Sequence, residues 1–321
     1  MLTLAPSVVE AVVGGLLRGV DVDEGPTSEQ VLVLEALATH LWGRPDLDVR
    51  SVTRLKASEV ASVLAGEDVR AVFHELHLTL EACRHPQSPA QVAAVQEYAE
   101  ILGVDSEDLK IFRDLVQGGV EMAKRDYQRF LSNNMRQRSE PGLSDPNLSR
   151  PFREAQLSDL FGTLAEYGPG TLGRAYLSFY ERFGLSLPGT ESSPNDSFFV
   201  AHDMTHTIAG LSTTPEAELA LSAFQFGMNN NAVNRAALLA SLVVHEAGFA
   251  VPSHLKRSES GLLARPAAAK LFANELSRGN QCRSDFSLVD HFALAHHPIS
   301  EVRAEFGVLP PNIQSDRHHW W

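Results

Sequence analysis

Apolar residues recur at intervals of three and four along most of the chain, which is the spacing of one face of an α-helix. The series predicts helices over residues 8–17, 31–41, 69–83, 90–102 and 106–131. Alternation with a period of two, which marks half-buried strands, is nearly absent. Ala and Leu are abundant and aromatic residues make up only 7% of the chain. The pattern therefore predicts an all-α protein.

The helical pattern is interrupted near the middle of the chain. A basic, polar stretch, KRDYQRFLSNNMRQR at 124–138, is followed by a segment rich in proline and glycine. This composition predicts a solvated helix end and then a linker at 139–150. With a length of 321 residues, we expect two domains, an N-terminal helical bundle at 1–138 and a second helical domain at 151–321.

Charge and cysteine content limit the partners and the cellular compartment that we expect for this protein. The formal net charge is −13, and neither half of the chain has the basic excess that binding to a phosphate backbone needs, so we expect no nucleic-acid partner. Cys83 and Cys282 are far apart, which is typical of a reducing compartment. The N-terminus lacks the cationic start of a secretion signal. We expect a cytoplasmic protein.

Membrane contact is expected to be peripheral at most. The longest apolar run, at 236–244, is bounded by Arg235 and by His245-Glu246. It is much shorter than the roughly 20 residues that a spanning helix needs. Any contact would therefore be made at the inner face of the membrane.

The N-terminal helices carry one distinctive loop, VDVDEGPTSEQ at 20–30, with a weaker counterpart, HPQSPAQ, at 85–91. An acidic, glycine-containing loop that leads into a helix resembles the TerB-like family of small helical bundles over residues 5–120. Asp21, Asp23 and Glu24 of this loop suit a hard cation. Acidic residues are equally common at a helix N-terminus, so both interpretations stay open.

Further candidates in this half are His74, His77 and His85, of which the first two form a pair in the stretch HELH. Spacing of three places both imidazoles on one helix face. The HExxH pattern of zinc peptidases is absent and no third ligand is nearby. A pair of core or surface histidines is the favoured interpretation.

The strongest constellation is HDMTHTIAGLSTTPEAELA at 202–220. On a helix, His202 and His206 project from the same face one turn apart, and Asp203 lies beside them. The following Gly210 turns the chain toward a second helix that begins near Pro215.

Two glutamates follow the turn, at positions 216 and 218. Glu216 has the spacing of a capping-box partner of Thr213, whereas Glu218 lies one turn into the returning helix. In an antiparallel helical hairpin, Glu218 points back at the histidines. Two imidazoles and two carboxylates then form a mixed N/O donor set, which suits Zn²⁺, Fe²⁺ or Mn²⁺.

The resulting motif, HDxxH-x11-E, resembles the metal motif of the ubiquinone (coenzyme Q) biosynthesis protein four family at His202, Asp203, His206 and Glu218. The segments YGPGTLGRAYLSFYERFGLSL at 167–187, AELALSAFQFG at 217–227 and HPISEVRAEFGVLPP at 297–311 are also similar to that family. The resemblance covers residues 150–311. The TerB-like half lies outside the usual family chain.

The resemblance implies a helical homodimer that binds prenylated aromatic lipid and works with other quinone-biosynthesis enzymes. It implies that the four motif residues hold a divalent ion, zinc first and iron or manganese as alternatives, and act as catalytic residues. The implied reaction is removal of the ring carboxyl of a prenylated hydroxybenzoate, either simple or oxidative, so the enzyme would be a metal-dependent lyase. The alternatives are a non-catalytic scaffold that holds prenyl lipid and a phosphohydrolase suggested by the His-Asp pair.

Other residues have two interpretations each. His245 and Glu246 provide an additional acid or base, or mark the polar end of an apolar helix. Arg174 and Tyr176 orient an anionic head group, or lie in solvent at a helix start. The tail RHHWW meets a lipid interface or is disordered. Seven apolar positions line a prenyl slot or belong to the core, namely Leu172, Phe179, Leu221, Phe224, Leu238, Leu239 and Leu242.

Overall fold

The computed structural model describes residues 4–104, 120–143, 150–189, 196–248, 260–312 and 317–321. Within these ranges the chain forms helices and turns, and no β-strand occurs apart from the isolated bridges Thr171–Pro298 and Leu211–His319. The prediction of an all-α fold is confirmed. Of the helix predicted at 106–131, residues 106–119 lie outside the described ranges.

The described helices are α1 (Pro6–Val20), α2 (Ser28–Ala36), α3 (Ala57–Val63), α4 (Glu67–Ala82), α5 (Pro89–Leu102), α6 (Val120–Gln137), α7 (Arg150–Glu166), α8 (Leu172–Phe183), α9 (Asp196–Ala209), α10 (Pro215–Met228), α11 (Ala232–Leu242), α12 (Pro266–Gly279), α13 (His291–Leu294) and α14 (Ile299–Phe306). A π turn at Leu37–Leu41 extends α2, and another at Val243–Ala247 extends α11. None of these helices is both long and apolar enough to cross a bilayer.

The chain divides into two compact units that are both discontinuous in sequence. Unit 1 comprises Met1–Leu131 and Ser222–Asn280, and unit 2 comprises Ser132–Leu221 and Gln281–Trp321. This division differs from the sequential domains expected from the linker composition. The reason is that α12 packs on α2 and its π turn, and α11 packs on α4, so residues 222–280 complete the N-terminal bundle.

In unit 1, α1 lies at the centre and contacts α3, α4 and α5. The predicted helix spans agree to within three residues with α1, α2 and its π turn, α4 and α5, and side-chain caps define the start of two of them. Thr27 and Gln30 form a capping box at the start of α2, and Ser88 Oγ accepts a hydrogen bond from Gln91 N at the start of α5.

His74 and His77 of the HELH stretch are core residues of unit 1. His77 is fully buried, with its ring edge-on to Phe73 and Tyr98 at centroid distances of 5.8 and 5.1 Å. Burial lowers the pKa of His74 to about 4 and that of His77 to about 3. Both rings are therefore neutral at physiological pH, and the core interpretation is the correct one.

Unit 2 includes the residues expected to form the linker. Glu140 is fully buried, and its Oε2 lies 2.7 Å from Nδ1 of buried His291. Its other oxygen, Oε1, accepts a hydrogen bond from the His291 backbone N at 2.9 Å. Arg138 is buried as well. Most of the basic stretch is exposed as expected, including Arg125, Arg129 and Arg136, whereas Arg138 and Glu140 pack inside unit 2. Residues 144–149 of the expected linker lie outside the described ranges.

The chain end at 317–321 packs against unit 2, so the expected terminal disorder is wrong. Trp320 N donates a hydrogen bond to Gly210 O at 2.7 Å, and the guanidinium of Arg303 lies 3.8 Å from the Trp321 ring centroid. Arg303 also donates to the carbonyls of Thr207 and Ile208 at the end of α9. The tail and Arg303 together hold the C-terminal end of that helix.

The seven apolar positions proposed for a prenyl slot are buried packing residues, each at most 1% exposed. They fall in different units, since Leu172, Phe179 and Leu221 belong to unit 2 and the remaining four to unit 1. The core interpretation accounts for them.

Close approach of α10 and α12 within unit 1 depends on two glycines. A Cβ atom on Gly279 would overlap the carbonyl oxygen of Phe224, and one on Gly227 would overlap that of Leu276. We expect Gly279→Ala to destabilise the protein by about 1–3 kcal/mol, because the backbones must separate. Urea unfolding measures this change. Gly162→Ala, in an exposed part of α7 with no atom near the new methyl group, should instead stabilise by up to about 1 kcal/mol.

The neutral core histidines predict how stability depends on pH. The folded-state pKa of His77 lies below its unfolded value, so the unfolded chain takes up a proton near pH 6.5 that the folded chain takes up only near pH 3. Stability is therefore lost as the pH falls below about 6.5. We expect His77→Gln to remove about 2 kcal/mol of the loss between pH 7 and pH 5, measured by urea unfolding at both values. Equal pH dependence in both proteins would contradict this expectation.

Candidate metal centre

The candidate centre is built on the helical hairpin of α9 and α10, and its three residues His202, His206 and Glu218 all belong to unit 2. His202 and His206 lie one turn apart on α9. The helix ends at Ala209. The next residue, Gly210, adopts a positive φ of 71°, and its N–H donates to His206 O at 2.8 Å. Glycine enters this conformation without strain, which makes the sharp reversal possible. Glu218 follows on the returning helix α10.

Three donor atoms meet at the hairpin. His202 Nε2 and His206 Nε2 are 3.2 Å apart, and each lies 3.2 Å from Glu218 Oε2. The atoms therefore form an equilateral triangle. The predicted approach of Glu218 to the two imidazoles is confirmed.

The dimensions of this triangle fit a bound first-row metal ion. Zinc–nitrogen and zinc–oxygen distances of 2.0–2.1 Å place tetrahedral ligands about 3.4 Å apart. The observed separations of 3.2 Å are close to this value. Hydrogen bonding alone explains the triangle poorly, because a single ring proton cannot point at two neighbours at once. The donor set fits a divalent cation.

The backbone selects the tautomer of His206. Its Nδ1 lies 3.3 Å from the carbonyl oxygen of Leu211 and donates a hydrogen bond to it. In the neutral ring, Nε2 then carries the lone pair that points into the triangle. His202 Nδ1 is buried and has no hydrogen-bond partner in the described part of the chain. A backbone hydrogen bond to Nδ1 therefore orients His206 but not His202.

The burial and charges of the three side chains favour one additional positive charge in the triangle. Burial alone would raise the pKa of Glu218, but the two imidazoles hold it well below its usual range. Burial lowers the pKa of His202 to about 4. For His206, burial would lower the pKa, and the neighbouring Glu218 carboxylate raises it. The Glu218 side chain is 25% exposed, and a proton or cation at this position stabilises its partly buried carboxylate.

Asp203 lies beside the triangle, and the hydroxyl of Tyr180 holds its carboxylate in place. One of its carboxylate oxygens comes within 4.8 Å of the ligand atoms of His202 and His206. Its Oδ2 accepts a hydrogen bond from the Tyr180 hydroxyl, which lies 3.3 Å from the Tyr176 hydroxyl. Burial raises the pKa of Asp203 to about 7. Asp203 is therefore a carboxyl group that can carry a proton near neutral pH.

Aromatic rings enclose the two imidazoles. Phe198 stacks on His202 at a centroid distance of 5.3 Å, and Phe179 stacks on His206 at 5.7 Å. Trp320 packs on the outer side of Phe179 at 5.7 Å. These rings fix the orientation of the imidazoles and lower the local dielectric, which strengthens interactions with a charge in the triangle.

Arg138 adds a positive charge that sequence reasoning missed. Its guanidinium lies 5.3 Å above the Phe198 ring centroid. Burial lowers the pKa of Arg138 to about 10, while Asp285 and Glu218 oppose that shift, so the side chain stays charged at neutral pH. Its place at the end of a basic stretch indicated a solvated residue, and no local signal in the sequence distinguishes it from the other arginines there.

Other residues named from the sequence lie outside the triangle. Glu216 does not form the expected capping box with Thr213, because Thr214 Oγ1 accepts the hydrogen bond from Ala217 N and Glu216 pairs with Arg317 at 3.4 Å. Tyr176 is fully buried behind Asp203, so neither interpretation of it was correct. Arg174 donates to the carbonyl of Ala165.

The acidic loop of unit 1 shows ordinary loop contacts. Asp21 pairs with Arg54 at 2.7 Å, and Asp23 Oδ2 accepts a hydrogen bond from Ser88 Oγ at 2.5 Å. A different group of ligand-type side chains occurs in this unit, made of Glu29, His85 and Glu246. Glu246 therefore belongs neither to the α9–α10 centre nor to a solvated helix end.

No protein-family model matches this chain, and a search of curated proteins gives no significant match.

Loss of one donor should abolish tight metal binding. We expect Glu218→Gln to weaken binding of Zn²⁺ by at least about 100-fold, because altering even the outer partners of metal ligands costs 10–100-fold. Isothermal titration of the metal-free protein measures the affinity. Glu216→Gln changes a glutamate two positions earlier on the same helix and should bind the ion as tightly as the unchanged protein. Equal affinity of both variants would contradict the assignment.

Proposed function

We propose that this protein is a metal-dependent enzyme that removes the ring carboxyl group of a prenylated hydroxybenzoate-type lipid in ubiquinone or prenylquinone biosynthesis. The observation that carries the proposal is the triangle of His202 Nε2, His206 Nε2 and Glu218 Oε2, with 3.2 Å sides. The resemblance of HDxxH-x11-E and its flanking segments to the ubiquinone biosynthesis protein four family supplies the substrate class. Zinc is the first expectation for the ion, with iron and manganese as alternatives.

Two imidazoles and one carboxylate leave positions on an ion for a substrate, which is typical of catalytic rather than structural sites. When bound, the ion supplies Lewis-acid stabilisation of negative charge on the ring carboxylate and the adjacent phenol oxygen. His202, His206 and Glu218 would hold it, and the rings of Phe179 and Phe198 keep the two imidazoles oriented. Asp203, which the motif makes a fourth ligand and which lies close enough to the two imidazoles to be one, is here assigned the role of proton donor. Arg138 adds positive charge on the side of His202, which favours an anionic substrate.

The reaction balances without a further reagent. The bond between the ring carbon and the carboxyl carbon breaks, the electron pair stays on the ring carbon, and CO₂ leaves. The ring carbon then takes up one proton. We assign this proton to the carboxyl group of Asp203, which Tyr180 holds in place through Oδ2, and which regains it from solvent. The oxidative version, in which hydroxyl replaces the carboxyl, requires dioxygen and a redox-active ion.

Two further parts of the proposal, a homodimeric assembly and cooperation with other quinone-biosynthesis enzymes, rest on the family resemblance alone. Peripheral contact with the inner face of the membrane in the cytoplasm is proposed from the composition of the sequence. A lipid-holding scaffold with a structural ion is the competing function, and the experiment below distinguishes it.

The test uses the full-length protein loaded with Zn²⁺ or Fe²⁺ and a prenylated 4-hydroxybenzoate labelled in its carboxyl carbon. Release of labelled CO₂ is the readout, with the product identified by mass spectrometry. We expect Glu218→Gln to abolish turnover through loss of the ion. Asp203→Asn should keep the ion and lower kcat by about 100-fold or more, the usual contribution of a general acid. Glu216→Gln is the matched control and should retain full activity.

Complementation separates catalysis from scaffolding. If Glu218→Gln loses its metal yet still rescues a quinone-deficient host, the scaffold function replaces the proposed one. Failure of the metal-loaded protein to release CO₂ while it retains the lipid would lead to the same conclusion.

A further inference from the structure

A second cluster of ligand-type side chains lies entirely within unit 1. Glu29 comes from the first turn of α2, His85 from the loop before α5, and Glu246 from the π turn after α11. One ligand atom of each residue lies within 4.8 Å of the other two. His85 Nε2 is 2.8 Å from Glu246 Oε1 and 3.8 Å from Glu29 Oε2.

The two carboxyl groups are buried and lie beside the imidazole of His85. The Glu246 side chain is 0% exposed and that of Glu29 is 10% exposed. In the described part of the chain, neither forms an ion pair with lysine or arginine, and Glu29 Oε1 is buried without a hydrogen-bond partner. Burial and the neighbouring Glu246 raise the pKa of Glu29 to about 9, so Glu29 holds a proton at neutral pH when no cation is bound. A divalent cation bound by the three side chains would replace that proton.

Backbone hydrogen bonds hold Glu246 in place, and the cluster is accessible to solvent at His85. Leu263 N donates a hydrogen bond to Glu246 Oε2 at 2.7 Å, and Gly261 N donates to the Glu246 backbone carbonyl at 3.0 Å. These bonds orient one carboxylate from outside the cluster, as partners of metal ligands do. The side chain of His85 is 30% exposed, which gives an ion access from solvent.

From this arrangement we propose that Glu29, His85 and Glu246 form a divalent-cation site that is separate from the α9–α10 centre. Two carboxylates and one imidazole form an oxygen-rich donor set that suits Mn²⁺ or Zn²⁺ better than softer ions. The ligands join α2 and the loop before α5 to the segment Ser222–Asn280. Bound metal therefore links the two sequence segments that make up unit 1, and its role is structural. The proposal does not depend on the function proposed for unit 2.

The number of Mn²⁺ ions bound per chain tests the proposal. The metal-free, full-length protein is titrated with Mn²⁺, and free ion is counted by electron paramagnetic resonance. We expect two ions in the unchanged protein, one in Glu218→Gln, one in Glu246→Gln, and none in the double variant. Glu81→Gln, which replaces another buried glutamate of unit 1 outside the cluster, should still bind two.

A second variant and a second measurement distinguish loss of the metal site from loss of folding. His85→Ala removes a partly exposed ligand, and its helical content is checked by circular dichroism. In the Glu218→Gln background, Mn²⁺ should raise the melting temperature, and His85→Ala should abolish that rise. The proposal is overturned if Glu218→Gln binds no ion, or if Glu246→Gln and His85→Ala both bind as many ions as the unchanged protein. An ion that Glu246→Gln removes and Glu218→Gln leaves in place would support this site and contradict the centre in unit 2.

Discussion

The contact of the partly buried Glu218 carboxylate with two imidazoles is the interaction on which the α9–α10 hairpin depends. A charge partly removed from water is stabilised by compensation at short range, and here the compensation comes from His202, His206 and the positive species that they share. The sharp turn at Gly210, the carbonyl of Leu211 and the stacked rings of Phe179 and Phe198 all serve to keep these donors in place. The surroundings of the triangle are therefore more constrained than an ordinary helix–helix contact requires.

Local regularities made much of this site predictable. The spacing of His202 and His206 defines a face on any α-helix, and a glycine followed by a proline marks a short reversal into a second helix. Given those two elements, the position of Glu218 on the returning helix follows from helical geometry. The limits of α4 and α5 were predictable for similar reasons, because Ser88 caps the latter and apolar residues repeat along both.

Features that depend on distant parts of the chain could not be predicted in this way. Tyr180 holds Asp203 across 23 positions, and His85 meets Glu246 across 161. Arg138 and Glu140 have the composition of a solvated linker, yet tertiary contacts bury both. Packing of a later segment onto the N-terminal bundle overrides a composition-based boundary, because a helix joins whichever surface covers its apolar face.

The interleaving of the two units has a consequence for biosynthesis on the ribosome. Domains generally fold as units, the N-terminal one first, while the chain is still being made. Here unit 1 is completed only when residue 280 has been synthesised, and the polypeptide carrying the α9–α10 hairpin appears before that point. The N-terminal helices are therefore made first, and part of their apolar surface stays uncovered until residues 222–280 have been synthesised. During translation, this interval is when the nascent chain is most exposed to aggregation and to capture by chaperones.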